Sequence, residues 1–132
     1  MIQVYGGPGS QNVNEAFKMN FGKYLSSARD IIYAYVDGRG SGYQGEAHKY
    51  EMYHNLGTVE IEDQIEAAKY LRDYKNNYIN KDAIGIWGWS YGGYATAMVL
   101  AKDNIDPVFA CGISVAPVTS WLLYGKFFFY FL

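Results

Sequence analysis

The sequence predicts an α/β fold, with a mainly parallel sheet and helices on both of its faces. Three observations carry that expectation. Short apolar runs of strand character alternate with longer helical ones along the 132 residues; this alternation builds βαβ units, in which strands run parallel and helices cover the sheet. Each apolar run is closed by glycine, aspartate or proline, the residues that end strands and start turns. The chain is 50% hydrophobic and 18% charged, the make-up of a globular domain with a core.

Taken in order, the strands are expected at Ile2 to Tyr5, Ile31 to Val36, Ala83 to Trp87 and Ala110 to Val115. The clearest helix runs from about Thr58 to Tyr74, where Ile61, Ile65, Ala68 and Leu71 recur at helical spacing. Thr58 is placed as its cap, and Glu60, Glu62, Asp63 and Glu66 gather toward its positive end. A second helix should open at Tyr91 and run to about Lys102, and a third lies between Asn14 and Ser26. The first strand begins almost at residue 1, although central strands of such sheets usually have earlier edge strands beside them. Further sequence is therefore expected upstream.

Composition narrows the function. Eleven basic and thirteen acidic residues give a net charge of -2, and no basic run could follow a phosphate backbone, so nucleic acid is not an expected partner. The single cysteine, Cys111, can form neither an internal disulfide nor a thiolate metal cluster. It reads either as a small buried strand residue or as half of a bridge to a partner outside this chain. No metal ion or cofactor is expected. The amino terminus has no charged and then apolar signal pattern. The apolar end, Phe127 to Leu132, is far shorter than the ~20 residues that span a bilayer, and reads as a truncation product or foreign tail.

The chemistry concentrates at Gly88-Trp89-Ser90-Tyr91-Gly92. Gly-x-Ser-x-Gly would arise by chance in about one such chain in ten. Here it follows the apolar run Ile84 to Trp87 and opens a helix rich in alanine and methionine. That strand-turn-helix setting is what a nucleophile elbow requires, because small flanking residues let a strained turn project the hydroxyl from the sheet. Ser90 is thus placed as the nucleophile of a partial α/β-hydrolase fold, a complete one needing upwards of ~200 residues. Tyr5-Gly6-Gly7-Pro8-Gly9 follows the first strand, where such a fold needs a loop for its oxyanion hole. The backbone N–H of Tyr91 is the other expected donor.

Asp37-Gly38-Arg39-Gly40-Ser41-Gly42-Tyr43-Gln44-Gly45 lacks the Gly-Lys-Ser/Thr ending of a phosphate loop. A structural loop held by an Asp37 to Arg39 interaction is expected instead. In this fold the acid and then the histidine of the triad follow the serine. His48 and His54 both precede Ser90 and read as polar loop residues; no histidine follows it. Without an imidazole to take its proton, a serine hydroxyl is a weak nucleophile near neutral pH, so the chain alone is expected to be close to inert.

Together these residues resemble the dipeptidyl peptidase IV branch of the prolyl oligopeptidase family of serine peptidases. The resemblance is carried by Val4 to Pro8, Asp37 to Gly45, Leu56-Gly57-Thr58, Val59 to Ile65, Ile86 to Tyr94, Cys111-Gly112-Ile113 and Val115 to Val118. It covers almost all of residues 3 to 124, in order. It implies Ser90 as nucleophile, the Tyr91 N–H and the Tyr5 phenol as oxyanion donors, and Tyr91, Val118, Trp121 and Tyr124 as walls of a pocket for the penultimate residue. It implies a parent enzyme that releases dipeptides after proline or alanine and forms a homodimer. That parent would be at the cell surface, through a single membrane span, or secreted. The family's acid, histidine, cysteine partner and β-propeller lie outside these residues. From Gly125 the pattern departs, with Phe128 where a pocket tyrosine is expected, so the chain divides into the front of a catalytic domain (1-124) and a divergent aromatic tail (125-132). Two other readings remain: a non-catalytic truncated chain that binds or assembles with a partner, and, more weakly, a related acylpeptide hydrolase or esterase.

Overall fold

Four parallel strands form one sheet in the computed structural model, which describes residues 1–74 and 78–128. They are β1 (Ile2–Val4), β2 (Ala34–Tyr35), β3 (Gly85–Trp89) and β4 (Cys111–Val115), in the spatial order β2-β1-β3-β4. The helices are α1 (Phe21–Ala28), α2 (Glu46–Tyr50), α3 (Val59–Asp73), α4 (Tyr91–Lys102) and α5 (Trp121–Phe128). The mainly parallel sheet of an α/β-hydrolase-like fold is therefore present.

The chain leaves β1 toward one side to make β2 and returns to the other side to make β3. Val4 pairs with Gly88, so the carboxyl ends of β1 and β3 lie together at the point where strand order reverses. Ligand sites in open parallel sheets form at such points. The loops at Tyr5 and at Ser90 are brought to one edge by topology alone.

Alternation sorts the strand residues onto two faces. Ile2, Val4 and Ile86 turn to one face and are buried with Ile61, Ile65 and Ala68 of α3 and Ala95 and Val99 of α4. Gln3, Tyr33 and Trp87 turn to the other. There the Trp87 indole N–H donates to Tyr33 Oη at 2.6 Å, and the Tyr33 hydroxyl donates to Gln3 Oε1 at 2.7 Å. Burial pushes the Tyr33 phenol up to about 12, against the opposing effect of the indole donor. Helix α1 meets this face at Gly22, where a side chain would collide with the Tyr33 ring.

Several elements depart from the sequence expectation for identifiable reasons. Helix α1 starts at Phe21 and not near Asn14, because Asn20 caps it by accepting from Lys23 N at 3.1 Å. Upstream, the Asn12 and Val13 amides are bound by the Asp37 carboxylate, and Asn14 accepts from Ala16 N, which favours turns over helix. The third strand begins at Gly85, after a short 3-10 turn at Lys81–Ala83 capped by Asn80. His48 lies in α2 and not in a loop. Cys111 is exposed, since β4 is the outer strand of the described sheet.

Helix α3 occupies nearly the expected span, but its cap differs. Thr58 makes no side-chain cap bond; its hydroxyl donates to Asn55 O at 2.5 Å. The Glu60 carboxylate instead accepts from the backbone N–H groups of Gly57 and Thr58. The loop after β2 is also held otherwise than expected. Asp37 binds the Asn12 and Val13 amides, and Arg39 pairs with Asp63 of α3, through Nη2 to Oδ1 at 2.6 Å and backbone N to Oδ2 at 2.7 Å. A Cβ at Gly38 would lie 2.8 Å from Asp63 Cβ, so glycine admits the carboxylate to the loop.

Burial acts to raise the Asp63 pKa, but the hydrogen bonds from Arg39 outweigh it and hold the carboxyl below its ordinary value. Stability that Asp63 contributes is complete above its unfolded pKa of about 4 and is lost as pH falls through the lowered native value. Asp63→Asn should reduce stability at pH 7 by about 1 kcal/mol, a modest figure because Arg39 is partly solvated. It should also weaken the loss of stability between pH 4 and pH 2 in urea unfolding.

Candidate active site

Ser90 sits between β3 and α4 with φ 58° and ψ −115°. A non-glycine residue there is strained, at a cost of order 1–3 kcal/mol. The surroundings hold it in place: its backbone N donates to Val115 O at 3.0 Å, and its carbonyl accepts from Tyr94 N at 3.1 Å. The glycines permit the approach. A Cβ at Gly92 would collide with Val4 O, one at Gly88 with the Gly92 and Val4 carbonyl oxygens, and one at Gly93 would lie 2.7 Å from Val115 O. The side chain of Ser90 is half-buried at the rim. Opening α4 as it does, Ser90 stands beside N–H groups of Tyr91, Gly92 and Gly93 that have no intrahelical acceptor, at the positive end of the helix.

The loop after β1 turns back over the same edge. Gly9 N donates to Gly40 O and Gly42 N to Ser10 O, both at 2.9 Å, so the loops after β1 and β2 brace each other. A Cβ at Gly7 would lie 2.8 Å from Tyr5 Cε1; glycine there lets the Tyr5 ring fold over its own loop. That ring is 37% exposed and its centroid is 6.4 Å from that of Tyr91.

Of the expected pocket residues, the structure brings Tyr91, Trp121 and Tyr124 into one aromatic cluster. Ring centroids are 5.8 Å apart for Tyr91 and Trp121, and 5.6 Å for Trp121 and Tyr124. Val118 is half-buried in the connection from β4 to α5, which leaves β4 through Ala116 at φ 43°. The sequence did not single out Tyr94, whose ring lies 5.1 Å from Trp121 and 5.5 Å from Tyr91. Its position three residues after Tyr91 on one helix was the available signal. It also treated Glu60 as one of several acids at a helix start. In the structure Glu60 is buried, and the Tyr91 hydroxyl donates to its Oε1 at 2.8 Å. Burial and the neighbouring carboxylate push the Tyr91 phenol well above its ordinary pKa.

Helix α5 continues through Gly125 and Lys126, while the end of the aromatic tail lies outside the described residues. A cleft of about 560 Å³ opens beside the cluster, lined by Pro8, Met52, Tyr53, His54, Tyr94 and Trp121. The larger cleft, about 770 Å³, lies against α1 and the opposite sheet face and includes neither Ser90 nor Tyr91.

Neither histidine is joined to Ser90 by a hydrogen bond among the described residues. His48 Nε2 lies 3.0 Å from Gly38 O, and the His54 ring packs on Tyr53 at 4.0 Å. The site thus combines a half-buried serine on a strained turn, the first N–H groups of a helix and an aromatic cluster. Such a set can present an oxygen nucleophile to a carbonyl beside an apolar group, given a proton acceptor from elsewhere.

Known proteins are similar to this chain in sequence and in fold. The profile of the prolyl oligopeptidase family matches residues 17–130. Venom dipeptidyl peptidase 4 of Apis mellifera is 49% identical over 126 residues, which are 96% of this chain and 16% of that protein. Dipeptidyl peptidase 4 of Felis catus is 48% identical over the same shares. The crystal structure of Porphyromonas gingivalis dipeptidyl peptidase 4 superposes with a TM-score of 0.80 at 43% identity, over 91% of this chain and 16% of that one. The chain therefore spans about one-sixth of the length of these relatives. No described helix is long and apolar enough to cross a membrane.

Ser90→Gly should stabilise the chain by about 1 kcal/mol in urea unfolding, because glycine adopts this backbone conformation without the steric penalty. Gly92→Ala should destabilise it by at least about 2 kcal/mol through the Val4 collision.

Proposed function

The chain belongs to the prolyl oligopeptidase family, and from that premise we propose that it is the front part of the catalytic domain of a serine peptidase releasing N-terminal dipeptides. The strained Ser90, set between β3 and α4 at the strand-order reversal, carries this reading. In it Ser90 attacks the scissile carbonyl, and its proton passes to a histidine supplied by sequence beyond this chain. The Tyr91 N–H and the Tyr5 phenol receive the oxyanion. Residues 1-124 are the catalytic part and 125-132 a divergent end.

The pocket reading follows from the aromatic cluster. In this reading the clustered rings of Tyr91, Trp121 and Tyr124, together with Val118, serve as apolar walls for a small flat ring, so a peptide with penultimate proline or alanine is the proposed substrate. Such walls gain energy from burying the ring without needing a polar partner. A homodimeric parent, secreted or held at the cell surface by one membrane span, goes with this reading.

A second reading is favoured by one observation. Among the described residues neither histidine is hydrogen-bonded to Ser90, and both are engaged elsewhere. By itself the chain is then inert, and any role it has alone is as a binding or assembly partner.

Cleavage of a Gly-Pro reporter separates the two. A polypeptide carrying this chain, extended to the length of its relatives, should cleave the reporter and lose at least about 10³-fold in kcat on Ser90→Ala, while the 132 residues alone should show no turnover. Undiminished cleavage by the extended Ser90→Ala variant would overturn the role of Ser90.

A further inference from the structure

Glu60 is an unusual core residue. It is 2% exposed, and no basic side chain forms an ion pair with it among the described residues. Burying a carboxylate without a cation is costly unless hydrogen bonds replace its water. Three donors do so here. The backbone N–H groups of Gly57 and Thr58 and the Tyr91 hydroxyl all point at its two oxygens. A carboxylate only accepts, so it can satisfy all three at once.

The arrangement around it is built for close contact. Gly57 has φ 83°, and a Cβ there would collide with the Tyr94 hydroxyl. Its carbonyl accepts from Lys102 Nζ at 2.8 Å. The turn before α3 is thereby docked on α4 at both ends, and Glu60 reaches from it to the ring of Tyr91. Tyr91 is 6% exposed, and its ring touches those of Tyr5, Tyr94 and Trp121. A shift of this one ring would move the whole aromatic wall.

We propose that Glu60 is a positioning residue for the penultimate-residue pocket: through its bond to the Tyr91 hydroxyl it fixes the angle of the Tyr91 ring, and so the width of the pocket that selects proline over alanine. The proposal rests on the pocket assignment made above. Glu60 touches no substrate and acts only through Tyr91. Tyr91→Phe keeps the ring but frees it from Glu60. Glu60→Gln keeps the size but removes the charge, and its amide brings donors that two backbone N–H groups cannot accept.

Two measurements test this, and they fail separately. In the 132-residue chain with ¹³Cζ-labelled tyrosine at pH 7, the Tyr91 ¹³Cζ resonance should shift in Glu60→Gln relative to the wild type, because its hydroxyl donates to the Glu60 carboxylate; an unchanged resonance would show that Glu60 does not hold the hydroxyl and would overturn the inference whatever the activity. In the extended polypeptide, kcat/KM for Gly-Pro relative to Gly-Ala reporters should fall about fivefold in Glu60→Gln and in Tyr91→Phe, and no further in the double variant. An unchanged ratio with a lowered Tm, or independent losses that multiply in the double variant, would make Glu60 a purely structural residue. If the wild type cleaves neither reporter, the pocket assignment falls and this inference with it, while the Tyr91 resonance still reports whether the bond exists.

Discussion

The closeness with which the first turn of α4 can approach the ends of β1 and β4 is the constraint on which the site depends. Gly88, Gly92 and Gly93 remove the side chains that would meet the Val4 and Val115 carbonyls. With them in place, Ser90 N reaches Val115 O, and the backbone at Ser90 accepts a conformation that L-residues rarely adopt. Packing here outweighs local preference. A strain of order 1–3 kcal/mol is held by the buried contacts of β3 and α4 with the core.

A second layer of constraint comes from α3, which anchors the loops around the site through buried or half-buried carboxylates. Asp63 fixes the loop after β2 through Arg39. Glu60 gathers the turn before α3 and the Tyr91 hydroxyl. The loop after β1 is in turn braced on the loop after β2. Acids that look alike along one helix therefore do different work, according to which loop each one faces.

That difference marks the limit of what the sequence could show. The four strands, α3, α4 and the elbow were legible because hydrophobic period, turn residues and Gly-x-Ser-x-Gly are local signals. The partners of Asp37 and Arg39 are not: the nearest charge in sequence is not the nearest in space, and Arg39 crosses 24 positions to Asp63. The type of Thr58 suggests a cap, but Glu60 does the capping. Tyr91, Trp121 and Tyr124 are placed by resemblance, and their ring contacts depend on Trp121, at the start of α5, reaching Tyr91 and Tyr94 of α4, which no local pattern encodes. The exposure of Cys111 follows from β4 being the outer strand of the described sheet, a property of strand order and not of the Cys111 segment.

The geometry around Ser90 and the chemistry proposed for it make different demands. A strained turn, helix amides and an aromatic wall are all set by these residues. Among the described residues neither histidine is hydrogen-bonded to the Ser90 hydroxyl: His48 is held at Gly38 O and His54 against Tyr53. The proposed function requires that the elbow formed by this chain be paired with a proton acceptor supplied elsewhere in a longer polypeptide. Fluorophosphonate labelling, with the modified residue mapped by mass spectrometry, tests this most directly. Rapid modification of Ser90 in the polypeptide extended to the length of its relatives, with none in the 132-residue chain, is the predicted result; equally fast labelling of Ser90 in the short chain, or labelling of a different serine in the long one, would contradict it.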